Sequence, residues 1–144
     1  MIFNPKSFGA KADGSHDDTN AIQQAIDKAF FSGGGRIVLK NGVFLSGTIY
    51  LKSNISLEID ASACLLASPD INSYGSDTHH NRYRNEPELD RCFIFAENAD
   101  NIELCGNGII NGNAEFFPNS NNIYRPMMIR FLNCRNIRLH DLRL

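Results

Sequence analysis

IFAENADNIEL, residues 94–104, and IRFLNCRNIRL, residues 129–139, align in constant register: Ile94 with Ile129, Asn98 with Asn133, Asn101 with Asn136, Ile102 with Ile137 and Leu104 with Leu139. A third copy of the turn-then-strand unit is Asn54-Ile55-Ser56-Leu57. Short apolar strands that recur with asparagine at their corners predict a solenoid, in which each coil stacks a strand on the coil before it and inward side chains form one continuous core. Asparagine suits such corners because it tolerates the left-handed backbone region and its amide can pair with the asparagine above and below.

The neighbouring segments agree. RIVL (36–39), VFLSGTIYL (43–51) and ISLEI (55–59) are short and rich in β-branched residues, with Asn, Gly, Ser or Asp between them. In the last stretch, Ile137, Leu139, Leu142 and Leu144 alternate with polar residues, and the extra residue at His140-Asp141 marks a corner or bulge. No helical pattern lies between these strands, so their connections are not βαβ crossovers. The one helical pattern comes earlier: Ala21, Ile22, Ala25, Ile26, Ala29 and Phe30 form a stripe down one side of a helix over residues 18–31, which Gly33-Gly34-Gly35 stops. A solenoid exposes core and strand edge at its mouth, and this helix is placed to cover them. DGSHDDT, residues 13–19, is read accordingly as the start of that helix. Asp17 and Asp18 are expected to accept bonds from its unpaired first amides rather than to perform acid–base chemistry.

The fold class expected is therefore all-β, with residues 1–144 the N-terminal part of a single parallel β-helix domain that is truncated at its C-terminal end. It comprises an entry segment and amphipathic capping helix (1–35) and the first coils (36–144), with a polar loop insertion at about 67–91. At 144 residues, with 42% hydrophobic and 21% charged residues, the chain suits one ordinary domain, and a net charge of −2 supplies no field that would gather nucleic acid. No run reaches the length of a membrane-spanning helix, and no membrane partner is expected. MIFNPKSFGA lacks the basic start and apolar run of a secretory signal. If the chain starts at Met1 a cytoplasmic location is expected; if a leader precedes it, a secreted or periplasmic one. Cys64, Cys92, Cys105 and Cys134 contain no CxxC pair and are read as free thiols.

Four longer stretches carry a family resemblance. FGAKADGSHDDTNAIQQAI (8–26) and GGGRIVLKNGVFLSGTIYLKSNISLEI (33–59) resemble the entry segment of the pectate-lyase-like, right-handed, single-stranded parallel β-helix superfamily. CFIFAENADNIELCGNGIINGN (92–113) and RPMMIRFLNCRNIRL (125–139) resemble, more narrowly, glycoside hydrolase family 28, the polygalacturonases and their relatives. The resemblance implies inverting hydrolysis of a pectin-like, acidic polysaccharide by two carboxyl groups about 6.5–9.5 Å apart, with no metal or other cofactor. The family's catalytic motifs, Asn-Thr-Asp, a paired Asp after glycine, Gly-His-Gly and Arg-Ile-Lys, do not occur in this sequence. The chain is thus expected to be the N-terminal part of such an enzyme, with no catalytic residue of its own. A non-catalytic carbohydrate-binding or structural β-helix of the tailspike or adhesin kind, and a pectate-lyase-type enzyme, are the alternatives.

For substrate contact the candidates are His80, Arg82 and Arg84 in the insertion, and Arg125. The insertion has the polar, aromatic composition of a loop overhanging a sugar groove, though it also suits a solvated loop. Arg125, Arg130, Arg135, Arg138 and Arg143 make the late segment basic, and guanidinium groups pair with galacturonate carboxylates. Arg130, Arg138 and Arg143 alternate with inward residues, which equally describes the outer face of a coil. No metal site is expected, since His79 and His80 bring no carboxylate with them. GNG (106–108) and NGN (111–113) are corners, not phosphate loops, because no helix follows. The last strand leaves an open edge through which self-association is expected.

Overall fold

The computed structural model describes residues 1–78, 91–116 and 126–144. The strands are β1 (Ile2–Phe3), β2 (Asp13–Asp17), β3 (Gly35–Leu39), β4 (Gly42–Ser46), β5 (Ile49–Tyr50), β6 (Ile55–Ile59), β7 (Ala63–Ala67), β8 (Cys92–Glu97), β9 (Asp100–Cys105), β10 (Ile109–Asn111), β11 (Met127–Leu132) and β12 (Arg135–Leu139). One α-helix, α1 (Thr19–Phe31), separates β2 from β3. The strands form three sheets, ordered β1-β3-β6-β9-β12, β2-β4-β7-β10 and β5-β8-β11, and the chain visits the first, second and third in turn. Pairing between neighbours is parallel throughout. The architecture is a right-handed parallel β-helix of three faces.

Inward positions line up from coil to coil. In the second sheet Phe44 pairs with Leu65 and Leu65 with Ile110; in the third, Ile49 pairs with Ile94 and Ile94 with Ile129. In the first, Ile37 pairs with Leu57 and Leu57 with Leu104. Phe44, Leu65, Ile110, Ile49, Ile94, Ile37, Leu57 and Leu104 are all fully buried. Each such side chain contributes about 1.5–3 kcal/mol by leaving water, so the rows rather than strand propensity hold the coils in register.

The corner between the third and first sheets is built on asparagine. Asn54, Asn98, Asn101, Asn133 and Asn136 all have positive φ between 53° and 65°. Their amides form ladders: Asn136 donates to Asn101 at 2.9 Å, Asn101 to Asn54 at 3.1 Å, and Asn133 to Asn98 at 2.5 Å. The local demand for a left-handed residue and the demand for coil-to-coil hydrogen bonding select the same side chain.

Helix α1 closes one end of the stack. Ile22, Ala25, Ile26 and Ala29 are fully buried against the core, and its polar residues satisfy strand edges. Gln23 pairs with both backbone groups of Tyr50, donating through Nε2 to its carbonyl and accepting at Oε1 from its amide, each at 2.9 Å, as a further strand would. Thr19 Oγ1 accepts the Gly47 amide at 2.8 Å. An exposed edge is thereby converted into a sealed one.

The DGSHDDT reading needs two corrections. Asp13–Asp17 is itself a strand, β2, pairing with β4 across an irregularity in register. Asp18 occupies the N-cap position but caps no helix amide with its side chain. Its carboxylate, 2% exposed, accepts the backbone amides of Lys11 at 2.8 Å and Ala12 at 2.9 Å, tying the entry turn to the helix start. Asp17 takes the capping role instead, accepting the Thr19 amide at 2.9 Å. Asp18→Asn replaces one acceptor oxygen with a donor facing a backbone amide, and should cost about 1–3 kcal/mol. Asp17→Asn, at an exposed position, should cost less than about 1 kcal/mol. Urea unfolding of the two variants checks the order; equal losses would contradict it.

Candidate functional site

Two corners differ from the rest. The chain leaves the second sheet after Ala67 and rejoins the third at Cys92, and leaves it again after Asn111 to rejoin at Met127. Both long connections thus join the second sheet to the third. Register sets an outward row across all three strands of that sheet: Tyr50 pairs with Phe95, and Phe95 with Arg130. Tyr50 and Phe95 meet edge to face, with centroids 6.0 Å apart.

The described part of the first connection runs along this face. The Thr48 amide donates to the Ser73 carbonyl at 3.3 Å and the Gly75 amide to Thr48 Oγ1 at 3.0 Å, fixing it over the first coil. Tyr50 donates its hydroxyl to Asp77 Oδ1 at 2.6 Å. Arg91 donates to the Tyr74 carbonyl at 3.0 Å and Arg130 to the Thr78 carbonyl at 3.1 Å. Burial first, and then the Asp77 carboxylate, push the Tyr50 hydroxyl up from its ordinary value, so it stays a donor. Tyr50, Lys52, Asp77, Phe95 and Glu97 line an open groove of about 260 Å³. The face thus offers an aromatic edge, cationic groups and fixed carboxylates side by side, the elements that hold a polar ring bearing a negative charge.

The first sheet carries a different outer surface. Arg36 donates to Glu58 Oε1 at 2.8 Å, to Glu103 Oε1 at 3.1 Å and to Cys105 Sγ at 3.4 Å. Ser56 donates to Glu103 at 2.8 Å, and His140 Nε2 lies 2.9 Å from Glu103 Oε2 while its Nδ1 lies 2.9 Å from Asp141 Oδ2. His140, ahead of Ser56, holds the Glu103 carboxyl down to about 2. Asp141 and then Glu103 raise the imidazole above its ordinary value, and burial pushes the Cys105 thiol up while Arg36 pulls against it. Glu103, Cys105 and His140 bring three ligand atoms within 4.8 Å of one another, a grouping that could hold a metal ion.

His80, Arg82, Arg84 and Arg125, the residues expected to meet substrate, lie outside the described residues. Arg130, Arg138 and Arg143 do face outward from the last coil, Arg130 onto the third sheet and Arg138 onto the first, 4.0 Å from Glu103. The row Tyr50-Phe95-Arg130 and the group at Glu103 escaped the sequence reading. The repeat held the signal, since the offset that aligns Leu104 with Leu139 also places Phe95 beside Arg130 and Cys105 beside His140. All four cysteines are free, as expected.

Comparison with known proteins bears on this geometry. Residues 2–128 match the family described as rhamnogalacturonase A/epimerase, pectate lyase-like. An exo-poly-α-D-galacturonosidase of Dickeya chrysanthemi is 36% identical over 121 residues, covering 78% of this chain and 19% of that protein. An alginate lyase 7 of Azotobacter vinelandii is 44% identical over 63 residues, covering 38% of this chain and 7% of that protein. The crystal structure of a hyperthermoactive exopolygalacturonase from Thermotoga maritima superimposes with a TM-score of 0.80 at 22% identity, covering 99% of this chain and 41% of that one. The chain therefore spans a minor part of the length of these relatives.

Proposed function

Because the chain belongs to the rhamnogalacturonase A/epimerase, pectate lyase-like family, we propose that it forms the first coils of a protein acting on a uronic-acid polysaccharide, with galacturonan hydrolysis as the activity of the whole. Within these coils the work is binding. The third-sheet face is the contact surface, the row Tyr50-Phe95-Arg130 the observation that carries the reading, and the segment from Ser73 to Thr78 its wall. A galacturonate unit presents an apolar C–H face to an aromatic ring and a carboxylate to a guanidinium, so successive units lying across the row can meet Tyr50 and Arg130, which stand two strands or about 10 Å apart. Galacturonan is preferred to alginate because the similarity to the galacturonosidase extends over 78% of the chain and that to the alginate lyase over 38%.

The test is calorimetric titration of the 144-residue chain with galacturonate oligomers, alginate oligomers and a neutral glucan. Galacturonate should bind with a salt-dependent affinity. Arg130→Gln should weaken it about tenfold, the worth of one charge-assisted contact of about 1.4 kcal/mol. The neutral glucan should not bind, and no oligomer should be hydrolysed. Tighter binding of alginate would overturn the substrate assignment, and unchanged binding by Arg130→Gln would overturn the face.

A further inference from the structure

We propose that the outer face of the first sheet holds a transition-metal ion, of the zinc class, on Glu103, Cys105 and His140. This face is separate from the third-sheet groove, and the inference does not depend on the polysaccharide reading.

The three residues are gathered by register rather than by chance proximity of loops. Cys105 ends β9 and His140 follows β12, and the pairing of Leu104 with Leu139, with the His140 amide donating to the Leu104 carbonyl at 3.1 Å, stacks Cys105 and His140 on successive coils. Glu103 lies two residues before Cys105 on the same strand, so the two side chains share a face. The ligand atoms lie within 4.8 Å of one another. A tetrahedral zinc ion with bonds of about 2.0–2.3 Å needs its ligands about 3.3–3.8 Å apart, a contraction that side-chain rotation supplies. Thiolate, imidazole and carboxylate together select a borderline ion over calcium or magnesium, which take oxygen alone.

Two further observations point the same way. His140 Nδ1 is held by Asp141 Oδ2 at 2.9 Å, which turns Nε2 toward Glu103 and the site. A carboxylate behind the imidazole is the arrangement that orients metal-bound histidines and raises their basicity. The charge is also right. Glu58, Asp60, Glu103 and Asp141 line an open pocket of about 270 Å³, and these four carboxylates outnumber the guanidinium groups of Arg36, in the lining, and Arg138, 4.0 Å from Glu103. Cys105 is 3% exposed yet lies at the wall of that pocket, with Arg36 Nη1 3.4 Å from its sulfur. On binding, the Cys105 thiol proton and the His140 Nε2 proton both leave to solvent, sulfur and nitrogen bond to the ion, the His140–Glu103 hydrogen bond is exchanged for two bonds to the ion, and Arg36 keeps its contact with Glu58. The open pocket leaves a fourth position for water.

Cobalt(II) titration of the reduced chain tests this, because thiolate ligation gives a sulfur-to-cobalt charge-transfer absorption that oxygen and nitrogen ligands do not. One cobalt per chain with that absorption is expected, displaced by zinc. Cys105→Ser should abolish the band with the far-ultraviolet circular dichroism unchanged. His140→Gln should weaken binding at least tenfold, and Asp141→Asn about tenfold to a hundredfold through loss of orientation. Cys64→Ser, on the second sheet, should leave the titration as it is. Absence of the band in the folded wild-type chain, or its persistence in Cys105→Ser, would overturn the assignment.

Discussion

Replacing Gly106 with alanine should cost about 3 kcal/mol or more and leave the chain largely unfolded at modest urea concentrations. Two separate penalties combine. Gly106 has φ of +107°, where a side chain is strained by about 1–3 kcal/mol. An added Cβ would also lie 2.1 Å from the Ile59 carbonyl oxygen and 2.7 Å from its carbon, inside the backbone of the coil below. That backbone has little room to retreat, since the same Ile59 oxygen accepts the Gly108 amide at 2.8 Å, and such overpacking adds about 1–3 kcal/mol. Gly9→Ala separates the terms: φ is +100° but nothing lies within 4 Å of the added carbon, so only the backbone penalty applies. Urea unfolding followed by circular dichroism should rank Gly106→Ala well below Gly9→Ala, and equal losses would show that the coils are not in backbone contact at this corner.

Phe44→Ala should cost about 3–5 kcal/mol. Phe44 is fully buried and sits in the row Phe44-Leu65-Ile110 that runs through three coils of the second sheet. In a stack of coils the cavity it leaves cannot be closed by one strand moving inward, because that strand is fixed by β2 on one side and β7 on the other. The expected signature is a lower urea midpoint with an unchanged slope, which marks lost stability rather than a more compact unfolded state. A loss below about 1 kcal/mol would mean that the inward rows do not carry the stability of the stack.

The coil repeat was legible because its corners are a local problem. Asn98, Asn101, Asn133 and Asn136 answer a demand for positive φ that any sequence must meet within one or two residues, and the apolar residues between them alternate for the same short-range reason. The capping helix was legible from its Ala and Ile stripe. Strand β2 was not, since Asp13–Asp17 is polar and takes its pairing from β4, whose strand lies beyond α1. The partners of Asp18 were missed because its carboxylate turns back to Lys11 and Ala12 instead of forward to the helix. At the candidate sites, Tyr50, Phe95 and Arg130 are remote in sequence and look unrelated until parallel register puts them in one row. Cys105 and His140 meet in the same way.

The central claim is that the third-sheet face, and not the first, receives the polysaccharide. Its most direct measurement is a backbone and side-chain NMR titration of the 144-residue chain with a galacturonate oligomer. Shifts should concentrate at Tyr50, Asp77, Arg91, Phe95 and Arg130, with Ser56, Glu103 and Cys105 unmoved. Shifts confined to Ser56, Glu103 and Cys105, or no saturable shift at all, would contradict it.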